Sequence, residues 1–227
     1  MAGLRLDRSY VLFGVVSLAL LVSSMQGSMV SVALPDMIDD LDAPLRWVGW
    51  VVTIFTLAQA VSMPIAGKLS DELGRRTVFV GGLAIFAAAS VGSAFAPNVY
   101  ILILARAIQG LAGGSLLPSA YGIIGDAFAE NRAQAIGMIS SVFPIGSIIG
   151  PTLGGLIVDH LGWRWTFAIN GPLVAGVVAI ALAIMPATPG RGRRGIDTRG
   201  AVLFSLAVVS FIYALTELSQ RDVDPNM

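Results

Sequence analysis

Arg106 and Gln109 are the residues of this sequence best placed to do chemistry. They stand three apart in the run 99–125, which otherwise holds only apolar, small and hydroxyl-bearing residues. A guanidinium is a permanent cation with five N–H donors, and an amide both donates and accepts. The pair is suited to hold a carbonyl, a carboxylate or water, or to assist a proton transfer. It cannot act as a nucleophile. Cysteine is absent and His160 is the only histidine, which removes disulfides, thiol chemistry and multi-histidine metal sites. The sequence presents no nucleophile–base pair and no cluster of metal ligands, so neither an enzyme activity nor a cofactor or metal is expected.

The element that must carry Arg106 is a membrane span. Apolar residues make up 56% of the 227-residue chain and charged residues 12%, against a charged share of roughly 25% in soluble domains. That is too little charge to clothe a soluble domain of this size. The net charge of zero offers no basic surface for nucleic acid. About 20 apolar residues cross the hydrocarbon core. Stretches free of Asp, Glu, Lys and Arg place spans at 9–34, 47–67, 77–95, 99–122 (with Arg106 inside it), 135–158, 166–186 and 200–218. Ala96-Pro97-Asn98 separates the third from the fourth, and Glu217 shortens the seventh. Arg5 and Arg8 could begin a signal peptide, but the apolar stretch that follows is too long for a signal core, and it reads as an uncleaved first span. The expectation is an all-α integral membrane protein of seven transmembrane helices.

Positive charge orients it. With the N-terminus in the cytoplasm, the inner segments hold Arg5, Arg8, Lys68, Arg75, Arg76, Arg132, Arg191, Arg193, Arg194 and Arg199, and the outer segments only Arg46, Arg164 and Arg221. Trp47, Trp50, Trp163 and Trp165 then fall at the outer interface, and the C-terminus lies outside. Lys68 is the only lysine among 14 basic residues, the composition of a GC-rich bacterium, which points to the bacterial inner membrane.

Helical spacing puts Arg106, Gln109, Gly110 and Gly113 on one face of the fourth span. An arginine inside the membrane is costly enough to mark function. Two placements suit it: facing a polar cavity, or snorkelling to the outer surface about two turns away. In the first span Ser17, Ser24, Ser28 and Ser31 share a face and Gln26 falls roughly opposite, so both sets line one cavity only if the helix bends near Gly27. Gln59 in the second span is a further cavity candidate. The strip Gly146-x-x-x-Gly150-Pro151-x-x-Gly154-Gly155 in the fifth span gives a flat surface for a neighbouring helix, with Pro151 as a kink.

Gly67-Lys-Leu-Ser-Asp71-Glu-Leu-Gly74-Arg75-Arg76, between the second and third spans, resembles the signature loop of the major facilitator superfamily. That resemblance implies that Gly67, Asp71, Gly74, Arg75 and Arg76 latch the cytoplasmic gate. Arg106-x-x-Gln109-Gly110-x-x-Gly113 is similar to the fourth-span motif of the family's proton-coupled drug exporters, where the arginine serves proton transfer. The glycine strip resembles the antiporter motif that separates exporters from importers. Gly162–Phe167 with Asn170-Gly-Pro172, and Asp126 through Arg132, resemble the fourteen-helix drug:proton antiporter branch (the EmrB/QacA type).

The resemblance implies that residues 1–186 form a six-helix N-terminal transporter half of two inverted three-helix repeats. Residues 187–199 would be a Pro/Gly/Arg-rich cytoplasmic loop, and 200–227 a linker-type seventh helix with a short outer tail. It implies proton-coupled efflux of small molecules by alternating access, with protons and the lipid bilayer as partners. Two departures bear on this. Gln26 stands where the branch carries a carboxylate at the end of the first span, so Arg106 has no acidic partner in the first six spans. The chain also ends before a second half, and a C-terminal half or self-association is expected to complete it. A half-transporter working as a dimer, or a non-transporting membrane scaffold or inactive truncation, fits the same residues.

Overall fold

The computed structural model describes residues 8–187, 190, 200 and 203–211. They form α1 (Arg8–Val32), α2 (Leu34–Asp40), α3 (Leu45–Leu73), α4 (Arg75–Ala94), α5 (Val99–Gly113), α6 (Leu116–Ala127), α7 (Arg132–Leu161), α8 (Arg164–Ala168) and α9 (Asn170–Ile184). Six stretches are long and apolar enough to cross a membrane: α1, α3, α4, α5 with α6, α7, and α8 with α9. Residues 200 and 203–211 are also helical, while 201–202, 212–218, nearly all of the loop 187–199 and the outer tail lie outside the described residues.

The expected boundaries shift where charge and helix part company. The second span does not stop at Gly67; α3 runs on to Leu73, so most of the expected loop is helix. Lys68, Leu69, Asp71, Glu72 and Leu73 present no breaker, and only Gly74, at φ 97°, ends the run. Likewise the first span, expected to reach 34, stops at Val32, and a second short helix begins at Leu34. Pro35 lies at the start of α2, where its missing N–H costs nothing. The fourth span extends to Ala127 and breaks between Gly113 and Leu116, where the amide of Ser115 donates to the Ala112 carbonyl over a tighter turn. Asn98 caps α5, its side chain accepting from the Ile101 amide at 3.0 Å. α7 stays one helix through Pro144 and Pro151.

Two seams hold the bundle. α7 lies along α1, and α5 lies along α3. In the first seam Gly146, Gly150 and Gly154 face α1: a Cβ at Gly146 would sit 1.8 Å from Ser24 Oγ, and one at Gly150 would sit 2.0 Å from Ser28 Oγ. In the second, a Cβ at Gly110 would sit 2.4 Å from the Phe55 carbonyl, and one at Gly114 would sit 1.9 Å from Ser62 Oγ. Only residues without a side chain allow backbones this close.

The apolar interior divides in two. One cluster joins the start of α1 to α4, α6 and the end of α9, through residues such as Val16, Phe79, Phe86 and Ile124. The other joins the end of α1 and α2 to the starts of α3 and α5 and to α8, through Met37, Val48, Leu102 and Phe167. Between the two lies a polar layer.

Candidate functional site

Arg106 occupies that layer and is fully buried, so it neither snorkels to the surface nor lines an open cavity. The reason is geometric: its face of α5 is covered by α3 on one side and by α1 and α8 on the other. Nε donates to the Val51 carbonyl at 3.2 Å. Nη1 donates to Gln109 Oε1 at 2.7 Å and to Gln26 Oε1 at 3.3 Å. The guanidinium carbon lies 3.9 Å from the centre of the Phe55 ring and 5.8 Å from that of Phe167. These rings offer their negative faces to a cation that has no carboxylate near it. Gln26 and Gln109 are likewise fully buried.

Three donors in this layer are left without an acceptor: Arg106 Nη2, Gln26 Nε2 and Gln109 Nε2. Arg106 is the only charged side chain buried among the described residues. Phe55 and the Val51 carbonyl carried no sequence signal of their own. They lie four residues apart, hence on one helix face, and opposite Gly110, which is what brings that face close to Arg106.

The serines and Gln26 do leave α1 in opposite directions, and no bend is needed to reconcile them. Ser24 and Ser28 hydrogen-bond back to α1 carbonyls and sit against the glycines of α7. Gln26 turns inward to Arg106. Gln59 is half-buried beside Gly113 and Gly114. Gly155 lies off the strip that meets α1, its nearest neighbour being Val32 at 3.9 Å from an added Cβ.

A second constellation ties the ends of α3, α4 and α6. Arg75 pairs with Asp126, lies 3.4 Å from Asp71, and donates to the Gly122 carbonyl at 2.6 Å. Arg76 donates to the Leu182 carbonyl at 2.7 Å, near the end of α9. Arg132 packs its side chain over Gly125. A Cβ at Gly67 would lie 3.5 Å from Pro118. The residues expected to form the gate therefore gather at one end of the bundle, and Gly122, which the motif did not reveal, lies among them.

At the opposite end, Asp40 of α2 accepts from Arg164 and from Trp163 Nε1 at 3.1 Å, and Arg164 Nη2 donates to the Ala96 carbonyl at 3.1 Å. The Arg164 hydrogen bond, with help from Trp163, holds the Asp40 carboxyl below the usual carboxylate range against an opposing effect of burial.

The described residues contain no group of His, Asp and Glu able to hold a metal. The family model of the Major Facilitator Superfamily matches residues 16–220. The chain belongs to this superfamily. It is a multi-pass membrane protein of a transporter family, not an enzyme. Among its relatives are the multidrug transporter protein MdtP of Bacillus subtilis, 38% identical over 94% of this chain and 39% of its own length, and the multidrug resistance protein Stp of Mycobacterium tuberculosis, 34% identical over 88% and 38%. The tetracenomycin C resistance and export protein of Streptomyces glaucescens is 34% identical over 94% and 40%. This superfamily member thus spans about two fifths of the length of these relatives.

Proposed function

We propose that the chain is the N-terminal half of a proton-coupled exporter of small, drug-like molecules, working by alternating access in the bacterial inner membrane. The buried Arg106–Gln109–Gln26 layer carries this reading. A scaffold gains nothing from an uncompensated cation between two apolar clusters, whereas a transporter needs a polar centre there. The relatives' names, which speak of multidrug transport and of export, supply the direction and the substrate class.

In this reading α1, α3 and α4 form one three-helix repeat, and α5 with α6, α7, and α8 with α9 form the second. The two glycine seams support it, because each joins the first helix of one repeat to the second helix of the other. The helix at 203–211 belongs to a seventh, linker-type span, with the N-terminus in the cytoplasm and the C-terminus outside. Asp71, Arg75, Arg76, Asp126 and Arg132, with Gly67 and Gly74, form the cytoplasmic gate. Gly146, Gly150, Pro151, Gly154 and Gly155 form the packing hinge, and Gln59 flanks the substrate path. The outer face of α7 is apolar and exposed, with Ile148 at 75%, which supports a partner half against it, either a C-terminal half or a second copy.

The test is accumulation of a panel of fluorescent compounds in efflux-deficient cells expressing this chain, with Arg106→Ala beside it. Arginine-dependent loss of a dye supports a working exporter assembled by self-association. Equal accumulation in chain, variant and empty vector, with expression confirmed, excludes self-sufficient export. Co-expression of the remaining length of a close relative then decides between a half awaiting its partner and a scaffold.

A further inference from the structure

The polar layer has an excess of donors and no acid. Arg106 Nη2, Gln26 Nε2 and Gln109 Nε2 are all buried without an acceptor, and the side chain nearest to being a counter-ion is an amide. Each element packed on the guanidinium faces it with a group that does not titrate: Gln26 from α1, Val51 and Phe55 from α3, Gln109 from α5 itself, and Phe167 from α8. The charged residues of those elements sit at their ends: Arg8 on α1; Arg46, Lys68, Asp71 and Glu72 on α3; Arg164 on α8.

Resting on the reading of Arg106 as the polar centre of a transporter half, we infer that Gln26 is the positioning residue that fixes the charge of this centre. Its Oε1 accepts from Nη1 as a carboxylate oxygen would, but it neither gains nor loses a proton. With an amide in that place the layer holds no acid to take up a proton, and the proton exchanged for substrate is bound and released outside it. Gln26 Oε1 and Gln109 Oε1 both accept from Nη1, which leaves Nη2 and two amide N–H₂ groups as donors. The only group this layer can still favour is an acceptor.

The experiment is a pH titration of the purified chain in detergent, followed by infrared difference spectroscopy of carboxyl bands and by the thermal unfolding midpoint, between about pH 5 and pH 9. Gln26→Asp and Gln26→Asn are compared with the unaltered chain, and Gln26→Glu stands in for Gln26→Asp if the shorter acid does not fold. The unaltered chain and Gln26→Asn are expected to show no Arg106-dependent titration. The acid variants are expected to hold one carboxylate paired with Arg106, which gives no protonated carboxyl band in this range; adding Arg106→Met is expected to raise that buried carboxyl and bring the protonated band in. An Arg106-dependent uptake of a proton by the unaltered chain overturns the inference, as does a carboxyl band in the folded acid variants that Arg106→Met leaves unchanged. Neither result depends on dye export, so this inference and the exporter reading fail separately.

Discussion

A Cβ at Gly150 would lie 2.0 Å from Ser28 Oγ and 2.7 Å from the Met25 carbonyl, so α7 touches α1 backbone to side chain along their seam. The hydroxyl could rotate away, but the Met25 carbonyl cannot. Gly150→Ala is therefore expected to lower stability by about 1–3 kcal/mol, the usual cost of overpacking. Gly155→Ala, one turn further on, meets nothing nearer than Val32 at 3.9 Å. It is expected to be neutral, or to gain up to about 1 kcal/mol from helix propensity. Thermal unfolding of the two variants in one detergent, followed by tryptophan fluorescence, checks the contrast, and equal losses would contradict the seam.

Arg75 and its two carboxylates are unequal partners. The arginine side chain is 15% exposed, while Asp71 and Asp126 are 54% and 59% exposed. Exposed ion pairs contribute about 0–1 kcal/mol and are screened by salt. A partly buried guanidinium bond to the Gly122 carbonyl of α6 is less dispensable. Arg75→Ala is expected to cost about 1–3 kcal/mol, and Asp71→Asn less than about 1 kcal/mol. Gly122→Ala is expected to resemble Arg75→Ala, because the new methyl would fall 2.5 Å from the arginine side chain. Unfolding midpoints at low and high salt separate the two contributions.

Much of this architecture is legible in the sequence, and the misses have physical causes. Stretches free of charge locate the spans because the bilayer core excludes charge, but they mark hydrocarbon thickness and not helix length. Hence α3 runs past Gly67 to Leu73, and the fourth span runs past 122 to Ala127. The face of Arg106, Gln109 and Gly110 is readable from helical spacing alone. What covers that face is not, since Phe55 and Gln26 come from other helices 51 and 80 positions away. The Gly113-Gly114 pair is visible as a packing motif, yet nothing in its spacing tells that the helix breaks there. Asp40 and Arg164 are 124 residues apart, and no local pattern joins them.

Asp40 predicts a pH dependence with a definite sign. Its carboxyl is held below the ordinary range by Arg164 and Trp163, so the unfolded chain binds the proton more readily than the folded one. The stabilisation is fully present above the unfolded value of about 4, and it is lost as pH falls through the lower folded value. Between neutral pH and about pH 5 this contact is expected to contribute a constant amount. In stronger acid the carboxyl is neutralised and releases Arg164 and Trp163. Asp40→Asn is expected to remove that acid-dependent part of the unfolding curve and of the tryptophan emission shift. An unchanged acid limb in the variant would assign it to other carboxylates.

The polar layer should behave as a unit. Arg106→Met strands Gln26 Oε1 and Gln109 Oε1, two buried acceptors that depend on the guanidinium, while the Val51 carbonyl keeps its place in the α3 helical ladder. A stranded buried acceptor costs about 1–3 kcal/mol, so the single variant is expected to unfold several degrees earlier than the unaltered chain. Adding Gln26→Met and Gln109→Met removes both stranded groups together with the donors that were already unpaired. Replacing a buried charge and its partners by apolar residues of similar volume is often neutral or stabilising. The triple variant is thus expected to recover the midpoint of the unaltered chain or exceed it, against the further loss that additive single changes would give. Export is expected to be absent in the single and the triple variant alike. A triple variant that is both less stable than Arg106→Met and unable to export would make the layer a structural strut, and one that is stable and still exports would remove Arg106 from the transport pathway.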